Sequence, residues 1–420
     1  MQRAGLRWLG LVAAGVAPFL AIELVLRLVG LPRPDAPYLA GFEPDQPILA
    51  RAGDGVEVLP ELRRAWRAQP FPAEPAPGVL RLFAVGDSVT WGHRGNEFPE
   101  PLAAWPDVLE SLLRQRRSPG RDVVVNLGAR TFGSGRVAGV ARQALAWRPD
   151  VLLVNVGTSE HLEHDLGAEV RRRRWLADVR LVWALETWLR PAGGGLTLGQ
   201  LAARDGALRA AFVRPESRLG GAAARADLLA ASERNLGAIV EACRGQGVPV
   251  ALATVPANLR YPPFATRFEP EEARVEGEAA ITRAGELLDA GRAAEALALV
   301  SPLASRHPEA AGLHYREAQA RDALGDPAGA RAAYERALEV DDCPARAFSA
   351  YNALVRRLAA EQPGVRLVDQ DRVFREAVAD GIPDGRLFLD ACHPTEAMQA
   401  RMAEEWYAVL DQAGWLAPRR

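Results

Sequence analysis

Val79-Leu-Arg-Leu-Phe-Ala-Val-Gly-Asp-Ser-Val-Thr90 is the stretch that decides the fold of this chain. A short apolar run ends in Gly86, Asp87 and Ser88, and a helix-compatible segment follows. A run of that length, bounded by a turn signal, reads as a strand buried on both faces. Three more runs share the form: Asp122-Val-Val-Val-Asn126 before Leu-Gly, Asp150-Val-Leu-Leu-Val-Asn-Val156 before Gly-Thr, and Val248-Pro-Val-Ala-Leu-Ala-Thr-Val255 before Pro-Ala-Asn. Gly364-Val-Arg-Leu-Val-Asp369 makes a fifth. Helical patterns over Pro101–Arg116, Gly135–Ala146 and Leu228–Gly245 lie between them. Apolar strands alternating with helices predict an α/β fold, a parallel sheet covered on both faces. Ligands of such sheets bind beyond the carboxyl ends of the strands. Gly86 is expected to let the backbone turn sharply there, with Ser88 opening a helix.

The chain has 420 residues, enough for more than one structural unit. Its formal net charge of -2 argues against nucleic acid, since phosphate binding wants a basic excess. All 51 basic residues are arginine. Cys243, Cys343 and Cys392 show neither CxxC spacing nor a disulfide framework. Cys392 reads as a small buried residue beside His393 rather than a nucleophile.

After Arg3 and Arg7 an apolar run extends from Trp8 to Leu31, interrupted only by Glu23 and Arg27 among charged residues. About 20 apolar residues span a bilayer, and the flanking arginines favour the cytoplasmic side. Residues 1–31 are expected to be an N-terminal transmembrane anchor in the inner membrane, with the remainder in the periplasm or outside the cell. A cleaved signal peptide is the competing reading. Residues 32–78, rich in Pro, Ala and Asp, read as a linker or wrapping segment.

Between Glu271 and Ala359 the pattern becomes alanine-rich and repeats. Gly291 and Gly325 stand 34 residues apart, and Ala296 matches Ala330, Val300 matches Tyr334, and Leu303 matches Ala337. That period, with glycine at the turn, predicts a tetratricopeptide-like all-α module offering a site for a protein partner. It divides the α/β domain into 79–270 and 360–420, with the insertion at 271–359.

The chemistry is read from Gly86-Asp-Ser88 at a strand end and Asp390-Ala-Cys-His393 near the C-terminus. A serine hydroxyl attacks only if a base takes its proton, and a histidine serves once a carboxylate fixes its tautomer. An Asp three residues before a His supplies both from one turn. Ser88, His393 and Asp390 are therefore the candidate triad. Asp87 is expected to brace the turn.

These motifs, in this order, resemble the SGNH (GDSL-like) hydrolase superfamily. The resemblance covers Val79–Pro270 and Gln362–Ala417, and extends loosely to membrane-anchored bacterial members with tetratricopeptide repeats. It implies a three-layer flavodoxin-like domain and activity on esters, including O-acetyl groups of an envelope or exported glycan. It implies either hydrolysis or O-acyl transfer through the same acyl-enzyme. It also implies an oxyanion site from the Ser88 amide, the second block and the third block. The second block, Asn126-Leu-Gly-Ala-Arg-Thr-Phe-Gly-Ser134, puts Thr131 at the glycine that relatives use, or Gly133 after a two-residue slip. The third, Gly157-Thr-Ser-Glu160, puts Ser159 where relatives carry a donating asparagine. These departures leave open a degenerate scaffold that works through its repeats.

No cofactor is expected, since neither GxGxxG nor a Walker string occurs. His161-Leu-Glu-His164 lacks a third ligand at metal-binding spacing, so no metal is expected. The basic run Arg171–Arg174 with Trp175 reads as a solvated helix face, or else as a membrane or anionic-glycan contact. Trp91 and Trp105 read as core residues, with sugar stacking as the alternative.

Overall fold

The computed structural model describes residues 2–29, 47–59, 62, 66, 67, 69–74, 76–92, 103–117, 121–163, 181 and 218–417. Helix α1 spans Gln2–Leu28. Three short strands follow, β1 (Leu49–Ala52), β2 (Gly55–Val58) and β3 (Phe71–Pro72), paired antiparallel in the order β1-β2-β3. The main sheet has β4 (Arg81–Gly86), β5 (Val123–Gly128), β6 (Val151–Asn155), β7 (Val250–Ala253) and β8 (Val365–Val368). Its order is β5-β4-β6-β7-β8, with every pairing parallel.

All five expected strands form, and their composition explains why. Successive side chains of a strand point to opposite faces, so a strand covered on both sides must be apolar throughout. Phe83 and Val85 enter one core, with Val125, Leu152 and Leu252, while Leu82 and Ala84 enter the other, with Val124, Leu153 and Ala251. Helices α4 (Ser134–Leu145) and α5 (Ala222–Gly245) bury residues in the first core. Helices α3 (Trp105–Arg116) and α12 (Glu396–Gln412) bury residues in the second. The result is a three-layer α/β/α domain. Helix α2 (Ser88–Trp91) is a single turn after β4.

Between β7 and β8 run α6 (Arg274–Asp289), α7 (Ala293–Arg306), α8 (Ala311–Ala323), α9 (Pro327–Glu339) and α10 (Ser349–Glu361). Gly291 and Gly325 take the left-handed conformation at φ 72° and 76°, closing equivalent turns. The matched positions Ala296 and Ala330, Val300 and Tyr334, Leu303 and Ala337 are all buried. Helices α6 to α8 share a core of their own, whereas Ala330, Tyr334 and Leu338 of α9 join the main one. Helix α10, counted in sequence with the repeats, belongs to the α/β body. Its buried face carries Tyr351, Leu354, Val355 and Leu358, which lie in the main core and cover the sheet at β7 and β8. After β8, α11 (Gln370–Glu376) leads to the final loop.

One reading of the N-terminal part changes. The segment 32–78 is more than a linker where it is described: Ile48, Val56, Leu62, Trp66 and Phe71 are buried in the main core. The Trp66 indole N–H donates to the Leu127 carbonyl at 3.2 Å. Its strands span only two to four residues each, too short for an alternating pattern to stand out. Among the described residues, no helix is long and apolar enough to cross a membrane. His164 and the Arg171–Arg174 run with Trp175 lie outside the described residues.

Candidate active site

Strand β4 delivers Gly86, Asp87 and Ser88 to the carboxyl edge of the sheet, one strand position from β6. Gly86 is required for close approach rather than for a turn. A Cβ there would meet the Asn155 carbonyl oxygen at 2.0 Å and the Thr90 hydroxyl at 2.3 Å. Asp87 caps α2, its Oδ1 accepting from the Val89 amide at 3.0 Å. Its Oδ2 accepts from the amides of Gly157 (3.2 Å) and Thr158 (3.0 Å) and from the Thr158 hydroxyl (2.8 Å). Asp87 therefore ties the end of β4 to the loop after β6, the bracing role expected of it. Burial pushes its carboxyl above the usual range.

The structure brings Ser88, His393 and Asp390 together from positions 305 residues apart. Ser88 Oγ lies 2.8 Å from His393 Nε2, and His393 Nδ1 lies 2.7 Å from Asp390 Oδ2. The other carboxylate oxygen, Oδ1, accepts from the amides of Cys392 (2.9 Å) and His393 (2.8 Å), closing a tight turn. The Leu389 amide donates to the His393 carbonyl at 2.8 Å, pinning the turn from outside. With its proton on Nδ1 facing the carboxylate, the imidazole presents a lone pair at Nε2 to the Ser88 hydroxyl.

Burial alone would raise Asp390, but the charge of His393 and hydrogen bonds from its ring and from two amides hold it well below the usual carboxylate range. Burial alone would lower His393, yet the Asp390 carboxylate beside it holds it well above the ordinary imidazole value. A histidine acting as base must be neutral to accept a proton, so the candidate triad predicts activity that is lost as pH falls through that raised value. The acidic limb of kcat/KM is expected above the ordinary histidine value of about 6.5. Asp390→Asn should move the limb to lower pH, which a pH–rate profile checks. Cys392 is buried, with its sulfur 3.7 Å from His393 Nδ1, and burial pushes its thiol up. It packs beside the histidine as a protonated thiol. Asp390, Cys392 and His393 also form the one group of metal-compatible spacing among the described residues, and it is the turn itself.

The oxyanion candidates fare unequally. Among the described residues, neither the Ser88 nor the Thr131 amide has a hydrogen-bond partner. Thr131 sits at φ 59°, the left-handed region that glycine enters freely. A β-branched residue is strained there by about 1–3 kcal/mol. Gly133 is corrected: its amide donates to Glu163 Oε2 at 2.6 Å and so is already spent. Ser159 is buried, its hydroxyl 3.4 Å from that of Thr158. Trp105 is core, stacked on Trp406 at 4.7 Å between centroids. Trp91 is buried under the Arg130 guanidinium.

A buried network beneath the second block was not foreseen. Glu163 Oε1 accepts from the Arg136 amide at 3.0 Å, and its Oε2 accepts from Arg136 Nε at 3.1 Å. Arg136 Nη2 donates to the Thr131 carbonyl, and its guanidinium lies over the Phe132 ring. Glu160 accepts from the Ser134 amide and from the hydroxyls of Ser134 and Ser232. Burial, aided by the charge of Glu163, pushes Glu160 up to about 7. The sequence signal was Glu160 closing the third block, and the i, i+3 spacing of Glu160 and Glu163.

A parallel sheet with a serine, an imidazole and a carboxylate hydrogen-bonded in line at its carboxyl edge has the architecture of a hydrolytic enzyme. Residues 84–401 match the model of the GDSL-like Lipase/Acylhydrolase family. The chain belongs to that family and is an ester-hydrolysing enzyme. Among solved structures it is similar to an acetylxylan esterase from Geobacillus stearothermophilus, at 13% identity over 81% of this chain and 99% of that one, with a TM-score of 0.37. It is also similar to a GDSL-like lipase from Bacteroides thetaiotaomicron, at 11% identity over 79% and 86% of the two chains, with a TM-score of 0.34. No curated protein matches the chain.

Proposed function

We propose that this protein is a serine esterase in which Ser88 is the nucleophile, His393 the general base and then acid, and Asp390 the residue that orients His393. The observation that carries this reading is the chain Ser88 Oγ–His393 Nε2 (2.8 Å) and His393 Nδ1–Asp390 Oδ2 (2.7 Å). Ser88 Oγ attacks the acyl carbonyl carbon as its proton passes to His393 Nε2. The resulting imidazolium returns that proton to the leaving oxygen, the ester C–O bond breaks, and an alcohol departs from acyl-Ser88. Water then attacks, giving a proton to His393, and collapse releases the carboxylic acid and regenerates Ser88. The Ser88 and Thr131 amides and the Ser159 hydroxyl donate to the oxyanion. Losing one such donor costs on the order of 100-fold to 1000-fold in rate.

The substrate is an O-acetyl ester on a cell-envelope or exported glycan, a class suggested by the family resemblance. The helix pairs α6–α9 act as a tetratricopeptide-like module that engages a protein partner. Helix α1 attaches the chain to the inner membrane, with the α/β domain on the periplasmic side. Its support is the exposed apolar surface of Val16, Phe19, Leu20, Ile22, Leu24, Val25 and Leu28, which water does not favour.

The test is acetate release from acetylated xylan and from a small acetyl ester, with and without a deacetylated glycan acceptor. Acetate accumulation at an acceptor-independent rate is expected. Acetyl transfer to the acceptor, with acetate suppressed, would replace the esterase by an O-acyltransferase. Neither product from any ester would overturn both in favour of a scaffold.

A further inference from the structure

We infer that Asn258, and through Arg260 the helical insertion, positions the Asp390–His393 turn. This inference rests on the triad reading above. The chain leaving β7 runs alongside the loop that carries the triad turn, and three consecutive residues are stitched to it. Asn258 donates its amide to the Ala391 carbonyl at 3.1 Å and its side-chain Nδ2 to the Asp390 carbonyl at 3.0 Å. Leu259 donates its amide to the Pro383 carbonyl at 2.9 Å. Arg260 donates from Nη1 to the Ile382 carbonyl and Asp384, and from Nη2 to Asp380. The same guanidinium forms a two-pronged pair with Asp322 of α8, Nε to Oδ2 at 2.8 Å and Nη2 to Oδ1 at 3.0 Å.

One arginine thus joins three carboxylates from two parts of the chain: helix α8 of the insertion and the approach to the triad turn. Only a guanidinium offers that many donors in a fixed plane. The other end of the insertion is tied in as well. Arg346, 1% exposed, donates to the carbonyls of Asn258 and Tyr261 at 2.9 Å each and pairs with Asp341.

The chemistry of Asn258 is informative. The Asp390 carbonyl only accepts, so the side-chain nitrogen must face it. The other end, Asn258 Oδ1, is buried with no partner. A half-satisfied buried amide is unfavourable by itself, so its packing does not explain an asparagine here. Its N–H to the triad turn does. Removing that donor frees the Asp390 carbonyl, lets the turn loosen and lengthens the His393–Asp390 hydrogen bond. Asn258 is a positioning residue, since it acts through Asp390 and touches no reacting atom.

The measurement uses full-length protein, Asn258→Ala and Asp322→Asn, with Ser88→Ala as the blank. The rate of fluorophosphonate labelling is followed against pH, and the low-field Nδ1–H proton of His393 by NMR. Asn258→Ala should label about ten-fold more slowly, with its acidic limb at lower pH because His393 loses part of its partner's support. Its low-field proton should move upfield. Asp322→Asn, which keeps shape but loses the charge on Arg260, should move both readouts the same way by less. A folded Asn258→Ala with wild-type limb and proton shift would overturn the inference, and an unmoved Asp322→Asn would remove the insertion from it. Wild-type protein that fails to label while keeping its low-field proton would instead sink the triad reading.

Discussion

Ser88→Ala is expected to lower kcat for ester hydrolysis by about 10⁶-fold, with KM little changed. His393→Ala should do the same, and the double variant should be no worse than either. The reason is that the two side chains act as one device, joined at 2.8 Å. An unactivated serine hydroxyl is a poor nucleophile at neutral pH, and an imidazole without a serine has nothing to activate. Asp390→Asn should cost about 10⁴-fold, because an amide facing Nδ1 favours the wrong tautomer. Steady-state kinetics on a small acetyl ester checks all four. A loss under ten-fold for Ser88→Ala would mean that the ester is opened elsewhere.

Arg136→Ala carries the largest expected effect on stability. Arg136 is 1% exposed, bound to Glu163 and to the Thr131 carbonyl, and stacked on Phe132. Removing it leaves Glu163 buried beside Glu160 without its cation. Breaking a buried pair in this way costs about 3–5 kcal/mol. The midpoint of thermal unfolding should fall accordingly. The pH dependence has a defined sign. A carboxyl held up to about 7 when folded stabilises the protein at low pH, and that contribution is lost as pH rises from the unfolded value through 7. Loss of the guanidinium removes the cation that offsets this buried carboxylate pair, so the variant should be least impaired near pH 5 and most impaired near pH 8. An equal deficit at both would show that packing on Phe132, rather than charge, is what Arg136 supplies.

The sheet and the candidate site at its edge were legible because their signals are local. Five apolar runs could only be doubly buried strands, and Ser88, Asp390 and His393 each sit in a motif a few residues long. What escaped reading depends on contacts made across the chain. The strands at 49–58 are only four residues each, and the core that receives Val56 and Trp66 gives them structure. Helix α10 continued the helical rhythm of the insertion, yet its larger apolar face packs on the sheet. Gly133 looked free until Glu163, thirty positions on, was found to hold its amide. Gly86 was taken for a hinge, whereas the Asn155 carbonyl leaves no room for a Cβ. Asn258 meets Asp390 from 132 positions away, so no local pattern announces it.

The most direct test of the account is covalent labelling of the purified protein with a fluorophosphonate, beside Ser88→Ala and His393→Ala. Stoichiometric labelling at Ser88 that vanishes in both variants is the expected result, since only a serine activated by His393 attacks phosphorus at a useful rate. A folded wild-type protein that does not label, or labels as well without His393, would contradict it.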